Sequence, residues 1–99
     1  MATLTRDRAY FPAVSADYDP DADVLYISLG EPVPAEGKYV NGVIYRYSMK
    51  DGTPCGVTVV SYLSEKWNSK IEELAKLVAE YLPTTKEDVI RTIRETVPS

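Results

Sequence analysis

The 99-residue chain contains no histidine and a single cysteine, Cys55. Without histidine the commonest general base is missing, along with Ser-His and Cys-His nucleophile pairs and most catalytic zinc sites. One cysteine cannot close an internal disulfide, so the framework is not that of a small secreted domain. No apolar run nears the roughly 20 residues that a membrane helix needs. The opening MATLTRDRAYFP lacks the apolar core of a secretory signal. Phosphate-cradling and nucleophile-elbow motifs are absent: there is no G-x-x-x-x-G-K-[ST], no G-x-G-x-x-G and no G-x-S-x-G. The 11 basic residues are scattered and outnumbered by 15 acids, which argues against a surface that tracks nucleic-acid phosphates. These gaps lead to the expectation of a cytoplasmic protein with no cofactor, no metal and no membrane, and they set catalysis behind the non-enzymatic readings.

What is present suits one small domain over residues 1–99, since 44% of the residues are apolar. The pattern changes near Ser64. Before it, short β-branched and aromatic runs are cut by turn residues; after it, apolar residues recur at helical spacing. The acidic bias lies in the first part, where Arg6, Arg8, Lys38, Arg46 and Lys50 face eight acids.

Strands are expected at Tyr10 to Tyr18, Val24 to Leu29, Val40 to Met49 and Gly56 to Leu63, with GEPVPAEGK as a loop because its prolines cannot donate to a ladder. Together they predict a four-stranded antiparallel β-meander over 10–63, followed by two C-terminal helices over 64–97 packed on one sheet face, an α+β fold. Asp51-Gly52 is the favoured centre of a two-residue hairpin. Counting outward from it sets Arg46 opposite Val57, Tyr45 opposite Thr58, Ile44 opposite Val59 and Val43 opposite Val60. Ile44, Val57 and Val59 then share one face, and Val43, Tyr45, Tyr47, Val60 and Tyr62 the other; a bulge at Pro54–Gly56 would swap the assignment. In SKIEELAKLVAEYL, Ser69 and Glu72 form a capping box ahead of a stripe of Ile71, Leu74, Ala75, Val78 and Leu82. Pro83 ends that helix, and Thr84 or Thr85 caps a second one with Val89, Ile90, Ile93 and Val97 on its apolar side.

The stretch SADYDPDADVLYISLG sets Asp17, Asp19, Asp21 and Asp23 at every second position. Counted from Asp17 as a calcium loop, it has Ala22 where a glycine must bend the chain and Ser28 where a bidentate glutamate must close the site. Asp19 followed by Pro20 suits a type I turn in which the aspartate bonds a downstream N–H, so the run reads first as a corner. A small-ligand or cation-binding module on these four aspartates is the alternative.

YDPDADVLYISL, followed by VNGVIYRYSMKDGTPCGVTVV, resembles the small bacterial family of domain of unknown function 2283, over about Tyr18 to Tyr62. The resemblance implies a β-rich unit with no established activity and an antitoxin-like partnership with a small protein; it assigns no residue a role. Where relatives often place acids in the second block, this chain has Tyr45, Arg46 and Tyr47.

Eight tyrosines against one phenylalanine is the most unusual feature of the composition. Tyr26, Tyr45, Tyr47 and Tyr62 are expected on one sheet face with Val60, away from Leu25, Ile27, Ile44 and Val59. Strand propensity alone would place tyrosines there. A patch of that size also suits an interface, where tyrosine combines buried area with a hydroxyl to bond. The resulting expectation is a non-enzymatic interaction module, a homo-oligomer or the receptor of a small protein. Nucleic acid ranks last, since Arg46 is the only cation near those tyrosines.

Overall fold

Backbone turns at Asp19–Asp23, Asn41-Gly42 and Met49–Gly52 fold the first two thirds of the chain into a sheet. A computed structural model describes residues 13–31 and 33–97. It contains β1 (Val14–Asp19), β2 (Val24–Leu29), β3 (Ala35–Val40), β4 (Val43–Ser48) and β5 (Pro54–Val60), all paired antiparallel in the order β1-β2-β5-β4-β3. The α+β class stands as expected, but the sheet has five strands rather than four, and it is not a simple meander. The chain leaves β2, crosses to the far edge, and returns through β4 to place β5 beside β2.

The additional strand is β3. It lies largely within the expected GEPVPAEGK loop and takes Val40 from the expected third strand. Asn41 (φ 51°) and Gly42 (φ 87°) are both left-handed, the backbone of a two-residue type I′ hairpin, and they split Val40 to Met49 into two strands. At the other end, β1 covers the second part of the expected first strand; Tyr10, Phe11 and Pro12 lie outside the described residues.

The β4–β5 register also differs from the expected one. Ser48 and Thr53 close the loop, not Lys50 and Thr53: the Ser48 N–H donates to the Thr53 carbonyl at 2.8 Å. Tyr47 then pairs with Pro54 and Arg46 with Gly56, leaving Cys55 as the extra residue of a bulge. Beyond it Tyr45 faces Val57, Ile44 faces Thr58 and Val43 faces Val59. A shift of one residue exchanges faces. Val43 and Tyr45 therefore join Val57 and Val59 on the helix side, and Ile44 moves to the opposite side.

A single 3₁₀ turn, Trp67–Ser69, leads into α1 (Ile71–Tyr81), and α2 (Lys86–Thr96) follows. The expected Ser69 cap does not form, because the Ser69 hydroxyl donates to the Lys66 carbonyl at 2.8 Å and closes the 3₁₀ turn instead. The Thr85 cap does form, its hydroxyl accepting the Asp88 N–H at 3.1 Å. Leu74, Ala75, Val78 and Leu82 from the α1 stripe and its C-cap, with Val89 and Ile93 from α2, are buried against Leu25, Ile27, Val43, Val57 and Val59. α2 packs on β1 and on α1, so both helices lie over one face of the sheet. The other face carries no layer among the described residues.

Candidate functional site

Alternation along each strand decides what the uncovered face displays. The paired register aligns Asp17, Tyr26, Thr58, Ile44 and Tyr39 in one continuous row across all five strands. The adjacent row consists of Ser15, Ser28, Gly56, Arg46 and Gly37. A row of large side chains thus runs beside a row of small ones in which Arg46 alone is long. The difference leaves a hollow of about 290 Å³ with a glycine–serine floor, bordered by Tyr26, Thr58, Arg46, Asp17 and Val33. Crowding keeps the glycines of that row bare. A Cβ on Gly56 would lie 2.8 Å from the Ile27 carbonyl oxygen, and one on Gly37 would overlap the Ile44 side chain.

Tyr26 and Tyr39 are 38% and 65% exposed on this face, and Val60 is half-buried beside them. Thr58, at the centre, is 5% exposed, and its hydroxyl is buried with no hydrogen-bond partner among the described residues. Arg46 is the only basic residue that the strands present here, facing Asp17 across the hollow.

The four tyrosines expected together do not share this face. Tyr26 is on it; Tyr45, Tyr47 and Tyr62 are not. The one-residue shift at the Cys55 bulge puts Tyr45 and Tyr47 on the helix side. Tyr45 meets Tyr81 edge-to-face, with ring centres 5.1 Å apart, and the Tyr81 hydroxyl donates to the Arg46 carbonyl at 2.7 Å, beside the bulge. Tyr47 donates to the Glu36 carboxylate at 3.3 Å. Tyr62 follows β5 into the core, 1% exposed, against the edge of Tyr18 at 6.0 Å. Burial pushes the Tyr62 and Tyr81 hydroxyls above their ordinary pKa, so both remain protonated and neutral. Tyr39 was the missing member of the face: its strand was hidden in an apparent loop, and the Asn41-Gly42 pair was the signal that could have revealed it.

Two of the four aspartates, Asp19 and Asp23, accept backbone N–H groups. The Asp19 carboxylate accepts the N–H groups of Asp21 and Ala22 at 3.0 and 3.2 Å, an Asx turn around Pro20. Asp23 adopts φ 58° and accepts the Leu63 N–H (2.8 Å), the Ser64 N–H (3.0 Å), the Ser64 hydroxyl (2.8 Å) and the Tyr18 hydroxyl (2.8 Å). The two backbone bonds lead in holding its carboxyl down to a pKa of about 2. Asp17 faces the hollow and Asp21 faces solvent, so the four do not converge. Among the described residues no three His, Cys, Asp or Glu side chains are placed to hold a metal ion.

The molecule is thus an α+β unit with an open-faced antiparallel sheet. Residues 16–61, which are β1 from its third residue through β5, match a family described as "Protein of unknown function (DUF2283)". The resemblance seen in the two sequence blocks is a match to that family, and it spans somewhat less than half of the 99 residues. It comprises the sheet, and both helices fall outside it. No curated protein and no solved structure matches the chain. No helix among the described residues is long and apolar enough to cross a membrane.

Proposed function

We propose that the protein is a non-catalytic interaction module whose uncovered sheet face receives a small protein partner, as an antitoxin-like protein would. One observation carries the reading: the Tyr26–Thr58–Ile44–Tyr39 row, with exposed tyrosines at both ends and a half-buried Ile44 between them, lies beside a glycine-floored hollow, with both helices on the opposite side. Aromatic and aliphatic groups in a continuous row supply area to bury, and the tyrosine hydroxyls remain able to bond at its rim. Arg46 above the small-residue row is the group that would orient the partner, through a carboxylate, while an apolar side chain fills the hollow beside it. The chain's strongly shifted carboxyl, Asp23, is committed to holding the fold, which fits a binding role better than a catalytic one.

The test is stoichiometric recovery. Tagged at its C-terminus and purified gently from its native host, the protein is expected to carry a second protein at fixed ratio. Tyr26→Arg should lower that ratio at least about tenfold, as loss of a central interface anchor does. Glu73→Arg, an exposed change on the helix side, should leave it unchanged. Recovery of the chain alone, or a companion that ignores Tyr26→Arg but is lost with Glu73→Arg, would overturn the proposal.

A further inference from the structure

β3 is the most exposed strand of the sheet and forms one of its edges. Glu36, Gly37, Lys38, Tyr39 and Val40 are all exposed, so both faces and one edge of this strand meet solvent. The two-residue Asn41-Gly42 loop makes Val40 and Val43 a hydrogen-bonded pair. The Met49 N–H donating to the Pro34 carbonyl at 3.1 Å sets the same phase at the other end of the strand. Pro34, Glu36, Lys38 and Val40 therefore turn their backbone groups in to β4, while Ala35, Gly37 and Tyr39 turn theirs outward. The N–H that Pro34 lacks belongs to the inner side, so the outer donors are complete. Such an edge is a template for another strand.

The letters of the strand say which one. Read about Gly37, AEGKY is self-complementary in charge, with an acid on one side and a base on the other. The geometry points to a second copy of this chain as the occupant, its β3 pairing antiparallel to this one about a two-fold axis through Gly37. In that register the outward positions meet one another: Gly37 faces Gly37, and Ala35 of each copy faces Tyr39 of the other. Glu36 of each copy lies directly across from Lys38 of the other, giving two cross-strand ion pairs on the helix side. Val40 meets Pro34 beyond them. On the uncovered side, Tyr39 of one copy reaches diagonally over the bare Gly37 of the other, the arrangement by which an aromatic shields a strand glycine.

Other registers do worse. A two-fold axis at Tyr39 sets Lys38 against Val40, and one at Ala35 sets Glu36 against Pro34; neither matches a charge. β1, the opposite edge, carries Asp17 and Asp19 and no cation, so two copies gain no charge match there. Pairing through β3 builds one ten-stranded sheet with both uncovered faces on the same side. The inference shares Tyr39 with the partner reading but leaves the Tyr26 end of that face untouched, so Tyr26→Arg and Lys38→Glu tell the two apart.

Sedimentation equilibrium of the purified full chain decides the matter. The parent protein is expected at the mass of two chains. Lys38→Glu turns both ion pairs into repulsions and should weaken self-association about tenfold or more; Glu36→Lys should do the same. An equimolar mixture of the two variants, or the double exchange Glu36→Lys with Lys38→Glu in one chain, should recover the two-chain mass. Both positions are exposed, so each variant is expected to keep its sheet, which circular dichroism checks. A parent protein at single-chain mass at every concentration reached, or a dimer indifferent to Lys38→Glu, would overturn the inference.

Discussion

Asp23 joins two parts of the chain that lie 40 residues apart. Its left-handed backbone ends the first turn, and its carboxylate gathers the N–H groups of Leu63 and Ser64 where β5 gives way to the helical part. Its pKa of about 2, against an ordinary 3.8, means that the ionised form is favoured by folding. The stability it contributes is therefore complete above about pH 3.8 and is lost as pH falls toward 2. Asp23→Asn, which tolerates the same backbone, should lower the melting temperature at neutral pH by several degrees, and the gap to the parent should close on acidification through that window. A gap that stays constant to pH 2 would show that the charge is not what matters. At Thr58 the expectation has the opposite sign. A buried hydroxyl without a partner is unfavourable, so Thr58→Val should be neutral or stabilise by about 1 kcal/mol in urea unfolding. Tyr81→Phe, which leaves the Arg46 carbonyl without its donor at the bulge, should instead cost about 1 kcal/mol.

At the scale of elements, legibility followed the locality of the signal. The helix stripes were plain because 3.6-residue spacing repeats within each segment, and Leu74, Ala75, Val78, Leu82, Val89 and Ile93 are all buried. Leu74→Ala should accordingly cost about 2–5 kcal/mol, measured by the same urea unfolding. β2 was plain because its period-2 alternation is just as local, with Leu25 and Ile27 inward and Tyr26 outward. β3 was not. AEGKYV has no apolar alternation, because neither of its faces is buried within this chain, and its identity rests on the Asn41-Gly42 turn. Gly42→Ala, at φ 87°, should strain that turn and destabilise by about 1 kcal/mol or more. The β4–β5 register was half legible: a bulge at Pro54–Gly56 was the alternative that would swap the faces, and it is the one that forms. Nothing in PCGV marks Cys55 as the inserted residue, and one inserted residue reverses every face before it. That single bulge explains why Tyr45 and Tyr47 pack toward the helices while Ile44 and Arg46 look outward. The Asp19 turn was legible because its bonds close within three residues; the reach of Asp23 to Leu63 and Ser64 left no trace in the letters.

For the molecule as a whole, the fold divides its labour between two faces. The helices complete a core on one side, and Tyr62, expected at the interface, belongs to that core. A Tyr62→Ser change would therefore report on folding rather than on binding. The remaining face combines a bulky row with a hollow row. Its meaning is tested most directly by hydroxyl-radical footprinting of the protein inside its native host against the purified chain. Tyr26 is expected to be modified several-fold less in the host while exposed helix residues such as Lys76 and Glu80 react equally in both settings. Equal modification of Tyr26 in the two settings, or protection confined to the helices, would contradict it.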